Sequence, residues 1–152
     1  MRRPTADAGD RRHGPGRVIL LVYVIFVIGT VTRSASQILT RFDHAPLAYS
    51  LSALAAVIYI VALVSLSIAG RTAWWVSFLA LSVELLGVLV IGAWSYLRPE
   101  MFPDATVWSH FGRGYLYIPL VLPVWGLWWL LSEHGARARA AGAGEQAPAR
   151  VT

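Results

Sequence analysis

Four long apolar runs, separated by two short polar breaks and one long one, divide this chain. The first is apolar from Val18 through Val31. Beyond it, Arg33-Ser-Ala-Ser-Gln-Ile-Leu-Thr-Arg41 holds no Gly or Pro, so the pattern predicts one helix over about 18–40. The other runs predict helices over about 46–69, 73–97 and 115–131. About 20 apolar helical residues cross a bilayer core. Only helices or closed barrels satisfy their backbone in lipid, and barrel strands alternate where these runs do not. The expected fold class is therefore an all-α membrane protein, an antiparallel four-transmembrane-helix bundle spanning residues 17–132.

Local signals support these boundaries. Asp43 stands before His44-Ala45-Pro46 and is expected to N-cap the second helix, with Pro in its first turn. Gly70-Arg71-Thr72 reads as a hairpin, and Arg98-Pro99 ends the third helix. Trp74, Trp75, Trp94, Tyr96, Tyr115, Tyr117, Trp128 and Trp129 sit at the ends of the third and fourth runs. Their amphipathic rings suit an interfacial belt. Small residues and Tyr59 recur on one face of the second run, at Ser52, Ala55, Ala56 and Ala62. Such a face lets membrane helices approach closely. Pro119 and Pro123 share a face of the fourth helix and are expected to bend it.

Composition agrees with lipid as the solvent. Of 152 residues, 57% are hydrophobic and 14% charged, against about half and a quarter in soluble domains. The net charge is +5 and all 13 of the Lys+Arg positions are Arg. These arginines are scattered through tails and loops, with no basic face carrying interleaved aromatics, which excludes nucleic acid as the expected partner. They act better as topology signals and contacts to membrane lipids. Arg2, Arg3, Arg11, Arg12 and Arg17 precede the first run, Arg71 follows the second, and Arg137, Arg139 and Arg150 follow the fourth. The positive-inside rule then puts both termini in the cytoplasm and the chain in the cell membrane. A cleaved signal peptide ending near Ser34-Ala35-Ser36 is the rival reading; Arg33, between apolar core and cleavage site, fits it badly. Residues 1–16 and 133–152 are polar or Ala/Gly/Arg/Pro-rich and are expected to be disordered tails, with a short extension of the fourth helix through 136–141. The absence of Cys removes disulfides and thiolate chemistry.

Glu84 is the one acidic residue inside a span. It lies about 16 Å from the cytoplasmic end of the third helix at 1.5 Å per residue. A carboxylate at that depth costs several kcal/mol, so it should be protonated, paired or set in a wet cavity. Depth matching brings Thr30 and Tyr59 beside it, with Arg33 a turn further out. This set is expected either to bind a proton or cation or to fix helix register through a Glu84–Arg33 pair or a Glu84–Tyr59 hydrogen bond.

A second polar group lies outward. Arg33, Gln37 and Arg41 are spaced i, i+4, i+8 and share one helix face. They suit the phosphate of a lipid headgroup or ligand, or snorkel to the interface. In the outer loop, Asp104 reads as an N-cap and Gly112 as a stop. Val107, Trp108 and Phe111 form one apolar patch, which predicts a short interfacial helix over Asp104–Phe111 roofing the Arg33–Arg41 stripe. His110 and Arg113 complete the candidate outer-face site. A lone His near Asp104 and Glu100 fits a hydrogen-bonded interfacial residue better than a metal ligand, and neither metal nor cofactor is expected.

Three segments carry a likeness. Phe42-Asp-His-Ala-Pro-Leu-Ala-Tyr49, Val83-Glu-Leu-Leu-Gly-Val-Leu89, and Asp104-Ala-Thr-Val-Trp-Ser109 followed by Pro119-Leu-Val-Leu-Pro123 resemble small four-helix conserved integral membrane proteins of actinobacteria. The likeness runs from about Val18 to Leu131. It implies fold and location and supplies no activity. No H-E-x-x-H, P-loop, dinucleotide fingerprint or G-x-S-x-G occurs. The leading expectation is a non-enzymatic accessory subunit that packs against a copy of itself or a larger membrane complex. The alternatives are a carrier for protons or a small solute centred on Glu84, and an anionic-lipid-binding protein or enzyme at the outer face.

Overall fold

The computed structural model describes residues 15–145. Four long helices account for most of them: α1 (Pro15–Arg41), α2 (Pro46–Ser67), α3 (Arg71–Leu97) and α4 (Ile118–Glu145). Three-residue 3₁₀ turns lie at Phe42–His44 and Pro99–Met101, and a longer 3₁₀ segment at Ser109–Tyr115. Three helices are long and apolar enough to cross a membrane. The count becomes four if Ser109–Tyr115 and the start of α4, bent by 100°, form one broken span. Several such helices are compatible with a multi-pass membrane protein.

Successive helices pack on one another, and α4 also touches α1. The buried side chains are Ile19, Tyr23 and Phe26 from α1, Ala55, Tyr59 and Ala62 from α2, Leu81 and Val88 from α3, and Leu122 and Leu130 from α4. The small-residue face of α2 is thus buried. The opposite faces carry exposed Leu21, Ile25 and Ile28 on α1, Leu54, Val57 and Val64 on α2, and Leu79 and Leu86 on α3. Soluble monomers rarely expose apolar surface on this scale.

The helix ends depart from the sequence expectation in identifiable ways. Asp43 does not cap α2: it sits in the Phe42–His44 turn, and the N-cap position is Ala45, with no side-chain cap bond. Pro46 takes the first helical position as expected, where its missing N–H costs nothing. Gly70 lies just before α3 with φ +143°, a conformation that favours glycine. Helix α4 starts at Ile118, not near 115, and continues to Glu145 instead of stopping near 131. The stretch 133–145 is therefore helical, beyond the short extension through 136–141 that was expected within a disordered tail. Its Ala and Arg residues are strong helix formers. The remaining tail positions, 1–14 and 146–152, lie outside the described residues. Pro119 falls in the first turn of α4 and only Pro123 is interior, so the large change of direction comes at Leu116–Tyr117 before the helix.

The segment after α3 differs most. No helix forms over Asp104–Phe111: residues 104–108 are irregular, and the 3₁₀ segment begins only at Ser109. Side-chain bonds replace the expected helical ladder. Thr106 Oγ1 accepts from the backbone N–H of Trp108 and of Ser109, while Ser109 Oγ accepts from the N–H of Thr106. Ser and Thr side chains compete with helix in this manner. His110 and Phe111 then adopt left-handed φ values of 52° and 59°. Non-glycine residues there cost about 1–3 kcal/mol each, so the surroundings must hold them. Neighbours on α3 do so: the His110 N–H donates to Ser95 Oγ and Phe111 lies against Gly92, while Val107, Trp108 and Ser109 before them are buried. The loop is folded into the bundle.

Candidate functional site

Glu84 is at the midpoint of α3 and fully buried. Its partner is Tyr23, whose hydroxyl donates a 2.7 Å hydrogen bond to Oε2. Neither partner expected from sequence makes that contact. The 3.6-residue repeat of α1 turns Ile19, Tyr23, Phe26, Thr30 and Ser34 inward. Arg33 is off that stripe and exposed. Tyr23 had a legible signal: it is a lone polar side chain in an apolar run, seven residues before Thr30 and so on the same face. Thr30 is buried, but its hydroxyl donates back to the carbonyls of Phe26 and Val27 and not to the carboxyl.

Tyr59 reaches the same region from α2. Its ring centroid is 6.3 Å from that of Tyr23, and Phe26 meets it edge-on at 5.0 Å. Its hydroxyl accepts a 3.0 Å hydrogen bond from Trp108 Nε1. Trp108 comes from the loop and lies against Gly87, one turn along α3 from Glu84. A Cβ at Gly87 would meet that indole at 2.8 Å, so only glycine admits it. A chain of buried groups results: Glu84, Tyr23, Tyr59 and Trp108, drawn from all of α1, α2, α3 and the loop.

The carboxyl is incompletely satisfied. Oε1 of Glu84 is buried and has no hydrogen-bond partner. An ion pair joins Arg98 and Glu100 at the surface, 3.4 Å apart, and among the described residues no cation sits on Glu84. A buried polar oxygen without a partner is uncommon and calls for an explanation. A carboxyl with one bonded and one open oxygen can hold a proton on the open one, or accept a donor from an incoming ligand.

The outer-face residues have different immediate neighbours. Arg33 places its guanidinium carbon 5.3 Å from the centre of the Tyr115 ring. Gln37 is half-buried, and Arg41 and Arg113 are exposed. His110 packs its ring edge-on against Tyr96 at 4.5 Å, and its backbone N–H donates to Ser95 Oγ at 2.8 Å. Asp104 accepts a hydrogen bond from the Tyr49 hydroxyl near the start of α2, and Arg41 and Arg33 both lie within electrostatic range of that hydroxyl. Among the described residues no group of three His, Asp or Glu side chains is placed to hold a metal ion. Trp108 and Phe111 pack on α3, Phe111 lying against Gly92, although the helix whose spacing was to direct them does not form.

No protein-family model, curated protein or solved structure matches this chain.

Proposed function

We propose that this chain crosses the cell membrane four times as an antiparallel bundle, with both termini cytoplasmic, and that it works as a carrier for protons centred on Glu84. Contacts between helix ends support the antiparallel arrangement. Tyr49 at the start of α2 bonds Asp104 beyond the end of α3, and Ser77 near the start of α3 bonds Ser65 near the end of α2 at 2.9 Å. The arginine distribution supports the orientation.

The observation that carries the carrier reading is the open Oε1 of a mid-span carboxyl that no cation neutralises. A group serving only as a structural pin gains from having both oxygens bonded. Ionisable groups inside spans also mark proton and ion pathways as a class. In the proposed cycle Oε1 takes up a proton, Tyr23 holds Oε2, and release requires a path that opens past Trp108 and Tyr59 to the outer side. In this conformation Trp108 and Tyr59 are buried and hydrogen-bonded to each other.

The test is proton flux. Full-length protein in liposomes containing a pH-sensitive dye should dissipate an imposed pH difference faster than empty vesicles, and Glu84→Gln should return the rate to the empty-vesicle level. One observation favours a second reading, the accessory subunit: the Tyr23–Glu84 bond joins residues 61 apart in sequence, as a pin between α1 and α3 would. Flux unchanged in a well-folded Glu84→Gln variant, or absent from the parent protein, would favour that reading.

A further inference from the structure

Arg33 presents a separate problem. It lies sixteen residues beyond Arg17 on the same helix, about 24 Å at 1.5 Å per residue, so in the four-span orientation proposed above it falls just inside the outer edge of a hydrocarbon core about 30 Å thick. The residue is exposed there, and no carboxylate pairs with it among the described residues. A bare guanidinium at that depth requires compensation. Part comes from the Tyr115 ring, 5.3 Å away. That ring is itself fixed, since Phe26 meets it edge-on at 5.8 Å. Two separate segments, α1 and the 3₁₀ segment before α4, thus set the guanidinium in place.

The surroundings of this cation are apolar and exposed. Ile28 and Val31 precede it on α1, and Leu116 follows Tyr115 with 84% of its surface open. The guanidinium meets Tyr115 on one side, and the rest of the Arg33 side chain is exposed, within reach of an anion. A charged fork above exposed aliphatic side chains matches a molecule with a phosphate above acyl chains. Arg pairs with phosphate through two parallel hydrogen bonds, which a point charge does not reproduce.

We propose that Arg33, seated on Tyr115, binds the phosphate of an anionic phospholipid in the outer leaflet, between α1 and the Ser109–Tyr115 segment. This site rests on the orientation of the helices and is independent of proton carriage at Glu84. The Arg41 and Arg113 guanidinium groups are exposed without any such ring beneath them, and they are not part of it.

Full-length protein in detergent is titrated with phosphatidylglycerol, phosphatidylcholine and inorganic phosphate, and bound lipid is counted by native mass spectrometry. The parent protein should retain phosphatidylglycerol in preference to phosphatidylcholine. Arg33→Gln should weaken that binding about tenfold, the loss of one charge-assisted pair, and Arg41→Gln should leave it unchanged. Tyr115→Leu, which keeps the charge and removes the ring, should weaken it severalfold and serves if Arg33→Gln does not fold. Equal phosphatidylglycerol binding by the parent and both Arg33→Gln and Tyr115→Leu would overturn the proposal. Displacement of the lipid by millimolar inorganic phosphate would also overturn it, because the site would then be one for soluble phosphate.

Discussion

The indole of Trp108 occupies the space above Gly87 that any other side chain would fill. A Cβ at position 87 would lie 2.8–2.9 Å from three atoms of that ring. The long segment between α3 and α4 is therefore packed into the bundle through a knob and a hole, with Tyr59 fixing the indole N–H.

Gly87→Ala should destabilise the protein by about 1–3 kcal/mol, the usual cost of forcing extra volume into a packed interior. Helix propensity alone would push the other way, since Ala is the better helix former. Thermal unfolding in detergent measures the sign. Pairing the change with Trp108→Leu should recover much of the loss, because the two residues are in contact and their effects do not add. Simple additivity would mean that the indole does not sit there.

Tyr23→Phe should cost about 1–2 kcal/mol, since it leaves the buried carboxyl of Glu84 with no hydrogen-bond donor. Glu84→Gln should be milder, because the amide oxygen still accepts from Tyr23. Glu84→Ala should be the worst of the three, at about 2–4 kcal/mol, as it adds a cavity and strands the Tyr23 hydroxyl. The order of melting temperatures is the measurement, and a neutral Tyr23→Phe would contradict the pairing.

The Tyr49–Asp104 hydrogen bond ties the loop to the start of α2. Tyr49→Phe or Asp104→Ala should cost roughly 1 kcal/mol and loosen residues 98–105 selectively. Limited proteolysis at exposed Met101 should then speed up severalfold while α1–α3 stay protected. Uniform protection in both variants would show that the latch does not hold the loop.

Both termini should report a cytoplasmic location and the segment near Asp104 an external one. Reporter fusions at the three points read this out. An external signal from one terminus alone would overturn the four-span topology, and external signals from both would reverse the orientation and with it the leaflet assigned to Arg33.

The sequence by itself determined the helices and the solvent they suit. Apolar runs of this length leave no alternative way to satisfy the backbone in lipid, and the breaks at Asp43–Pro46, Gly70 and Arg98-Pro99 placed most helix ends within a few residues. It also singled out Glu84, because a lone acid in an apolar run is visible without knowledge of its neighbours. The partners of that acid were decided only by tertiary structure. Which α1 residue meets Glu84 depends on the rotation of α1 about its axis and its shift along it, and a rotation of 100° exchanges Ser34 for Arg33 at the interface. Hence Tyr23 took the place expected for Arg33, and Tyr59 turned to Trp108. The loop after α3 was the least legible. Its cap and stop residues spell a helix locally, whereas Thr106 and Ser109 spend their side chains on the backbone and Trp108 gains more from burial against Gly87 than a surface helix offers. The second effect depends on Gly87 of α3 and Tyr59 of α2, and no window of sequence around residues 104–111 contains them.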